Sequence, residues 1–160
     1  MTQSYEQLDV ELLPDFVELK SRANWDYSLM NYIESRGSFE LAVAFAKLFW
    51  PDFTEYRGCI VRADGFSKHN FDEWWERANG DRTKVERVLN LLHVRELVPS
   101  DTSALDESVY RYLGETLAAM WASRVRLLFP SRALIVRYEE SDEKGNAVEP
   151  TLYLYEEHKD

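Results

Sequence analysis

Apolar residues recur at the three- and four-residue spacing of a helix along most of the chain. Capping residues precede some of these repeats, such as Ser38 and Asp81, and Pro51 follows one of them. The pattern predicts helices at 25–35, 39–50 and 105–128, one beginning near Asn70, and one that follows Asp81 and includes His93. Gly114 interrupts the longest helix, which indicates a close approach by a neighbouring element.

The predicted helix at 39–50 is apolar on nearly every side. Its only charged residues are Glu40 and Lys47. A helix that is hydrophobic around its whole circumference is typical of a protein interior. We therefore expect this helix to lie at the centre of the core.

Alternating and β-branched patterns predict strands. Residues 53–62 are interpreted as one strand, and 132–140 and 147–157 as a hairpin around Lys144-Gly145-Asn146. Alternation places Leu152 and Leu154 on the core side of the hairpin and leaves Tyr153 and Tyr155 among charged residues on the other face. Because proline cannot donate to a ladder, Pro150 indicates an edge strand.

The order of these elements favours an α+β fold. Four to five helices are expected to pack on a small, mainly antiparallel sheet made of the C-terminal hairpin and the 53–62 strand. The 160 residues suit a single domain, 1–160, with 1–24 as a candidate loosely packed N-terminal arm.

Charge changes this picture because it is unevenly distributed. The chain has 29 acidic and 19 basic Asp, Glu, Lys and Arg residues, for a net charge of −10. Residues 1–19 and 134–160 each contribute −5, so the remainder of the chain is neutral. An acidic surface attracts basic proteins and repels phosphate backbones and anionic lipids, so neither nucleic acid nor membrane is an expected partner. The start of the chain has no basic or apolar leader pattern, which favours a cytoplasmic location.

No constellation of residues indicates catalysis, a metal site or a cofactor. Cys59 lies within a predicted strand and is expected to be a buried structural residue. His93 and Glu96 have a spacing that metal ligands can use on a helix, but a second such pair is absent from the sequence. Phosphate-binding glycine motifs and a nucleophile elbow are absent as well. An enzyme is therefore the less favoured interpretation.

Aromatic residues provide the remaining signal. Trp74 and Trp75 are adjacent on a predicted helix, so one narrow core stripe cannot easily bury both. A buried position between two layers and a position at an interface both fit this pair. Aromatic residues in an acidic field suit the binding surface for a basic protein. The candidate partner-binding residues are Glu139, Glu140, Glu143, Tyr153, Tyr155, Glu156, Glu157 and Trp75.

The sequence thus predicts an acidic protein–protein interaction module. In composition it is similar to small bacterial immunity or antitoxin-type proteins, which neutralise basic toxins, and this resemblance implies a basic protein partner. The alternative is a small-molecule-binding protein or enzyme with a pocket between helices and sheet, near Trp74 or Trp75, His69 and His93. A homodimer joined through an exposed edge strand is a third hypothesis.

Overall fold

The computed structural model describes residues 8–97, 105–141 and 144–158, and within them the predicted α+β class is confirmed. The helices are α1 (Pro14–Arg22), α2 (Leu29–Arg36), α3 (Phe39–Phe49), α4 (Lys68–Arg77), α5 (Arg82–Leu89) and α6 (Glu107–Leu128). The strands are β1 (Phe53–Tyr56), β2 (Cys59–Arg62), β3 (Leu92–His93), β4 (Leu134–Ser141) and β5 (Ala147–Glu156). Short 3-10 turns at Val10–Leu12 and Val94–Glu96 complete the described elements.

The larger core lies between α6 and an antiparallel sheet of order β3-β5-β4. Its fully buried residues come from α6 and β5: Leu117, Trp121, Val125, Leu152 and Leu154. Gly114 lets α6 approach β4, since a Cβ at that position would overlap the ring of Tyr138. The close approach expected at Gly114 is therefore confirmed.

The predicted strand 53–62 is wrong in detail, because the segment is a hairpin of β1 and β2. Arg57 and Gly58 form its turn, both with positive φ, of 50° and 76°. This combination gives the tight turn that matches the twist of paired strands. The hairpin is a separate two-stranded sheet, and it packs on α4 and α5 in a second core with Cys59 fully buried, as expected.

Two buried polar side chains join the two sheets, one from α5 and one from the residue that directly follows it. The Glu86 carboxylate accepts hydrogen bonds from the backbone N–H groups of Ile60 and Glu156, both at 2.7 Å. One turn later, the Asn90 amide donates to carbonyls of β2 and β5 and accepts from the N–H of Arg62. Burial raises the pKa of Glu86 above its ordinary value. These side chains satisfy strand-edge groups that another strand would otherwise pair.

The sheet that contains the C-terminal hairpin corrects two expectations from the sequence. β5 is the central strand of its sheet and not an edge strand. Pro150 is tolerated because β3 pairs only with Leu152 and Thr151, and the ladder to β4 shifts register between Glu139 and Ser141. The segment containing His93 is also a strand, not a helix end, because it pairs with Thr151 of β5.

The N-terminal part of the described chain is a small helical cluster. Phe16 of α1 is 2% exposed and packs against the rings of Tyr27 and Tyr32. Arg36 of α2 donates two hydrogen bonds to Asp15 of α1, at 2.8 and 3.0 Å. Residues 14–22 of the predicted arm therefore form a helix that packs on α2.

The expected position of α3 is wrong. Its bounds match the prediction, yet none of its residues is buried. Only its last turn meets the larger core, where Leu48 and Phe49 pack and the indole N–H of Trp121 donates to the Leu48 carbonyl at 2.9 Å. The remainder of this apolar helix extends away from the core and is open to solvent.

Candidate protein-interaction surface

Seven large apolar side chains of α2 and α3 are exposed and form what we call the α2–α3 surface. Phe39 is 92% exposed, Val43 is 63% exposed and Met30 is 62% exposed. The other members are Leu29, Ile33, Leu41 and Phe45. Four of the seven, Ile33, Phe39, Leu41 and Phe45, line one groove, and exposed apolar residues grouped in this way are typical of a binding surface.

Local sequence signals hold the two helices in place. Ser28 and Asn31 form a reciprocal cap at the start of α2, and the Ser38 hydroxyl accepts from the N–H of Leu41 at the start of α3. Gly37 joins the helices, because a Cβ there would lie 2.6 Å from the carbonyl oxygen of Ile33. The apolar side chains are therefore displayed on a defined helical scaffold.

A groove of about 780 Å³ separates the two helices. Apolar side chains dominate its lining, with Arg36 and Glu34 as the charged lining residues. The principal apolar lining residues are Tyr32, Ile33, Phe39, Leu41, Ala42 and Phe45. Its shape and chemistry suit the side chains of an amphipathic helix, a common mode of protein recognition.

Charged side chains lie near the ends of α2 and α3. The hydrogen bond from Arg36 holds the pKa of Asp15 below its ordinary value, which keeps α2 attached to an ionised group of α1. Lys47 of α3 lies 2.5 Å from Asp52, and Arg124 of α6 lies 3.0 Å from the same carboxylate. Glu40 has no ion-pair partner among the residues that the structure describes.

The predicted acidic residues at the tip of the hairpin lie partly in internal contacts. Glu140 accepts hydrogen bonds from Arg111 at 2.8 Å and from the Tyr138 hydroxyl at 3.2 Å. Burial raises the pKa of Tyr138, which keeps that hydroxyl protonated as a donor. Glu139 is half-buried, with Arg137 at 3.6 Å. Glu143 lies outside the described residues.

Glu156 and Glu157 lie at the opposite end of β5. Glu156 is five positions from Thr151, the residue opposite Glu139, which corresponds to about 17 Å along a strand. Its carboxylate accepts from Arg132 at 2.6 Å and from the Ala133 N–H at 3.0 Å, whereas Glu157 is exposed. The predicted acidic residues are thus divided between two ends of the hairpin.

The predicted aromatic residues are less exposed than expected. Tyr155 is 4% exposed, because Arg87 of α5 covers its ring, and that of half-buried Tyr153, at 4.7 and 4.6 Å. The open charged face expected for Tyr155 is therefore wrong. Trp75 is half-buried and stacks on Phe71, with Arg57 at 5.4 Å from its ring.

The residues of the alternative pocket do not come together. His93 lies on β3 with its Nδ1 atom 3.2 Å from the Thr151 hydroxyl, whereas His69 is exposed on α4 beside Glu73. Within the described ranges, no three metal-ligating side chains form a cluster. No helix in those ranges is both long and apolar enough to cross a bilayer.

Comparison with known proteins returns nothing that assigns the chain to a family. No family model matches the sequence, and no curated protein and no solved structure is significantly similar to it. Function must therefore be argued from the exposed surface itself.

The sequence analysis did not identify the α2–α3 surface as a candidate binding site. The signal was present, because a helix that is apolar on every side must be covered by something. The pattern does not distinguish a covering core from a covering partner. The structure supplies that distinction by placing only the last turn of α3 on the core.

Proposed function

We propose that this chain is a protein–protein interaction module that binds an amphipathic helix of a protein partner at the α2–α3 surface. One observation carries the proposal: α3 is exposed from Phe39 to Lys47 although nearly all of that segment is apolar. Leaving so much apolar area in water is unfavourable by about 25 cal/mol per Å², and a partner would remove that cost.

The charge of the molecule favours a protein over a lipid surface. Membrane-binding helices carry several basic residues on their polar face. Lys47 is the only basic residue of α3, and the whole chain has a net charge of −10, which opposes approach to anionic lipid. A protein partner therefore fits the α2–α3 surface better than a bilayer does.

The expectation of a basic partner stays a prediction. Its proposed contacts, Glu139, Glu140, Glu156 and Glu157, would have to act at two separate ends of the hairpin. An immunity- or antitoxin-like role would require such a partner in addition to the contact at the α2–α3 surface. The lone buried cysteine suits a reducing compartment, and the cytoplasm is the proposed location.

Two substitutions of exposed aliphatic residues provide a matched test. Leu41 on α3, which lines the groove, and Val148 on β5 are both exposed, at 47% and 42%. We expect Leu41→Glu and Val148→Glu each to change the free energy of unfolding by no more than about 0.5 kcal/mol, because neither side chain is in a core. Chemical unfolding of both variants checks that the fold is intact.

Binding is then measured with a defined partner. A photo-crosslinking amino acid at position 39 captures the protein that contacts the α2–α3 surface in native cells, and the complex is rebuilt from purified components. We expect Leu41→Glu to weaken its affinity at least about tenfold and Val148→Glu to leave it unchanged. A complex insensitive to Leu41→Glu, or Leu41-dependent binding to anionic vesicles instead of protein, would contradict the proposal.

A further inference from the structure

We infer that α3 of a second copy of this chain, arranged antiparallel, packs on the side of α3 that carries Glu40, Val43, Ala44 and Lys47, which faces away from the groove between α2 and α3. The inference rests on the proposed function, since it uses the same exposed helix, and it names a second copy as a further partner of that helix. It depends on how charged and small residues are arranged along α3, on the ion pairs near its end, and on the area that a second copy would cover.

The stripe of α3 formed by Glu40, Val43, Ala44 and Lys47 can pair with the same stripe of a second copy. At about 100° per residue, Glu40 and Lys47 lie almost directly above one another, and Val43 and Ala44 lie between them. If two such helices cross antiparallel between Val43 and Ala44, Glu40 of each copy faces Lys47 of the other. Both charges of α3 are then paired by one two-fold operation, which is the property of an isologous interface.

The ion pairs of the free chain permit this exchange. Lys47 contacts Asp52, but Asp52 also accepts a hydrogen bond from Arg124 at 3.0 Å. Lys47 can therefore turn to Glu40 of a second copy without leaving the Asp52 carboxylate unpaired. The pKa of Asp52 is lowered by its hydrogen bonds to Lys47 first and to Arg124 as well, which agrees with two cations sharing one acid.

The apolar positions on α3 suit a close crossing. Ala44 at the crossing point allows the helix backbones to approach, and Phe39 and Leu41 project on either side of the stripe. Phe39, at 92% exposure, has no cover in the single chain and would gain one from the second helix.

The covered area sets the expected strength. One pair of crossing helices covers less than the 800 Å² or so per partner of a standard interface. We therefore expect a weak dimer, with a dissociation constant in the micromolar range.

Sedimentation equilibrium of the full chain, up to about 100 µM, tests the inference. We expect the wild type to dimerise, Val148→Glu to dimerise equally well, and Val43→Glu to raise the dissociation constant at least about tenfold. Glu40→Lys and Lys47→Glu should each weaken the dimer, because each places like charges opposite one another at both ends of the pair.

The double variant Glu40→Lys/Lys47→Glu tests the antiparallel arrangement. It restores opposite charges at both ends of an antiparallel dimer of the variant, whereas a parallel dimer keeps like charges together. Against wild type the double variant places like charges opposite one another in an antiparallel pair, so we expect it to dimerise as tightly as the wild type and native mass spectrometry of the mixture to show mostly the two separate dimers. A double variant that dimerises no better than the single variants, or a mixed dimer in excess, would overturn the antiparallel pairing.

The outcomes separate this inference from the proposed function. A monomeric wild type that forms a Leu41-dependent complex with a different protein overturns the second copy as a partner and leaves the proposed function in place. A monomeric wild type with no Leu41-dependent complex overturns both.

Discussion

At the scale of single residues, the side-chain amide of Asn90 hydrogen-bonds to backbone groups of both sheets, through its nitrogen and through its oxygen. Its Nδ2 donates to the carbonyls of Ile60 and Leu154, and its Oδ1 accepts from the N–H of Arg62. Because Asn90 is fully buried, water cannot replace these bonds. The Asn90 side chain is therefore essential to the hydrogen bonding that connects β2 to β5.

Replacing Asn90 with alanine should consequently be costly. We expect Asn90→Ala to lower the free energy of unfolding by about 3 kcal/mol, since it leaves buried backbone donors and acceptors unpaired. Asn70→Ala on α4 is the matched control, because Asn70 is only partly buried, and it should cost less than about 1 kcal/mol. Urea unfolding of both variants measures the difference, and equal losses would contradict the assignment.

Gly114 is a second residue whose replacement should change the stability of the protein. In the middle of a helix, alanine is favoured over glycine by about 1 kcal/mol, but a methyl group here would overlap the Tyr138 ring. We expect Gly114→Ala to destabilise the protein by about 2 kcal/mol. Adding Tyr138→Leu should recover part of that loss in a double-mutant cycle, and strictly additive effects would argue against the contact.

At the scale of elements, the chain is built from two helical units with different roles. α5 and α6 cover the two cores, whereas α2 and α3 display their apolar residues to solvent. The link between α1 and α2 depends on Arg36 and an ionised Asp15. That link makes this helical cluster sensitive to acid.

The sign of the acid effect follows from the pKa of Asp15, which lies below its ordinary 3.8 in the folded protein. A carboxyl of this kind contributes stability above its unfolded pKa, and the contribution is lost as the pH falls through the folded value. We expect the fluorescence of Trp25, whose ring lies 5.9 Å from that of Tyr27, to report loosening below about pH 3.8. Asp15→Asn should remove this transition, and Glu18→Gln, whose ion pair is within α1, should retain it.

The sequence predicts most of the helices and strands, but it does not predict which of them are buried or what they pack against. Ser38 and Pro51 bracket α3 correctly, but an all-apolar helix is compatible with a core or an interface, so its exposure could not be foreseen. The β1–β2 turn was missed because an arginine occupies a positive-φ position that usually selects asparagine or glycine. Glu86 and Asn90 resemble ordinary surface residues of α5 and its C-cap, since their partners are backbone groups distant in sequence.

For the candidate site the sequence indicates only a class. Aromatic and acidic composition predicts protein binding, which stays a prediction, and the chosen residues were assigned by alternation in a strand. That rule divides side chains between faces and does not say that α5 lies over one of them, so it misplaced Tyr155. The register and the position of α5 required the three-dimensional structure.

At the scale of the whole molecule, the net charge predicts opposite effects of salt on binding to a second copy and on binding to a basic protein. Each chain has a net charge of −10, so two copies repel one another over distances that salt screens. A basic partner would instead be attracted, and salt would weaken its binding.

We therefore expect the self-association constant to rise modestly between about 0.05 and 0.5 M salt, with sedimentation equilibrium as the measurement. The Glu40–Lys47 contacts weaken over the same range, but they are two pairs against the repulsion of two acidic chains. A dimer that dissociates steeply as salt rises would show that these local pairs, and not apolar burial, dominate.

The attachment of α3 by its last turn alone has a consequence for how the protein can evolve. Leu48 and Phe49 belong to the core, whereas positions 39–47 contribute little to it. Selection for folding therefore acts weakly on those nine positions, and under the proposed function the partner is their main constraint. In a library that randomises them, folded variants should be abundant, and new binding specificities can arise there without a loss of stability elsewhere.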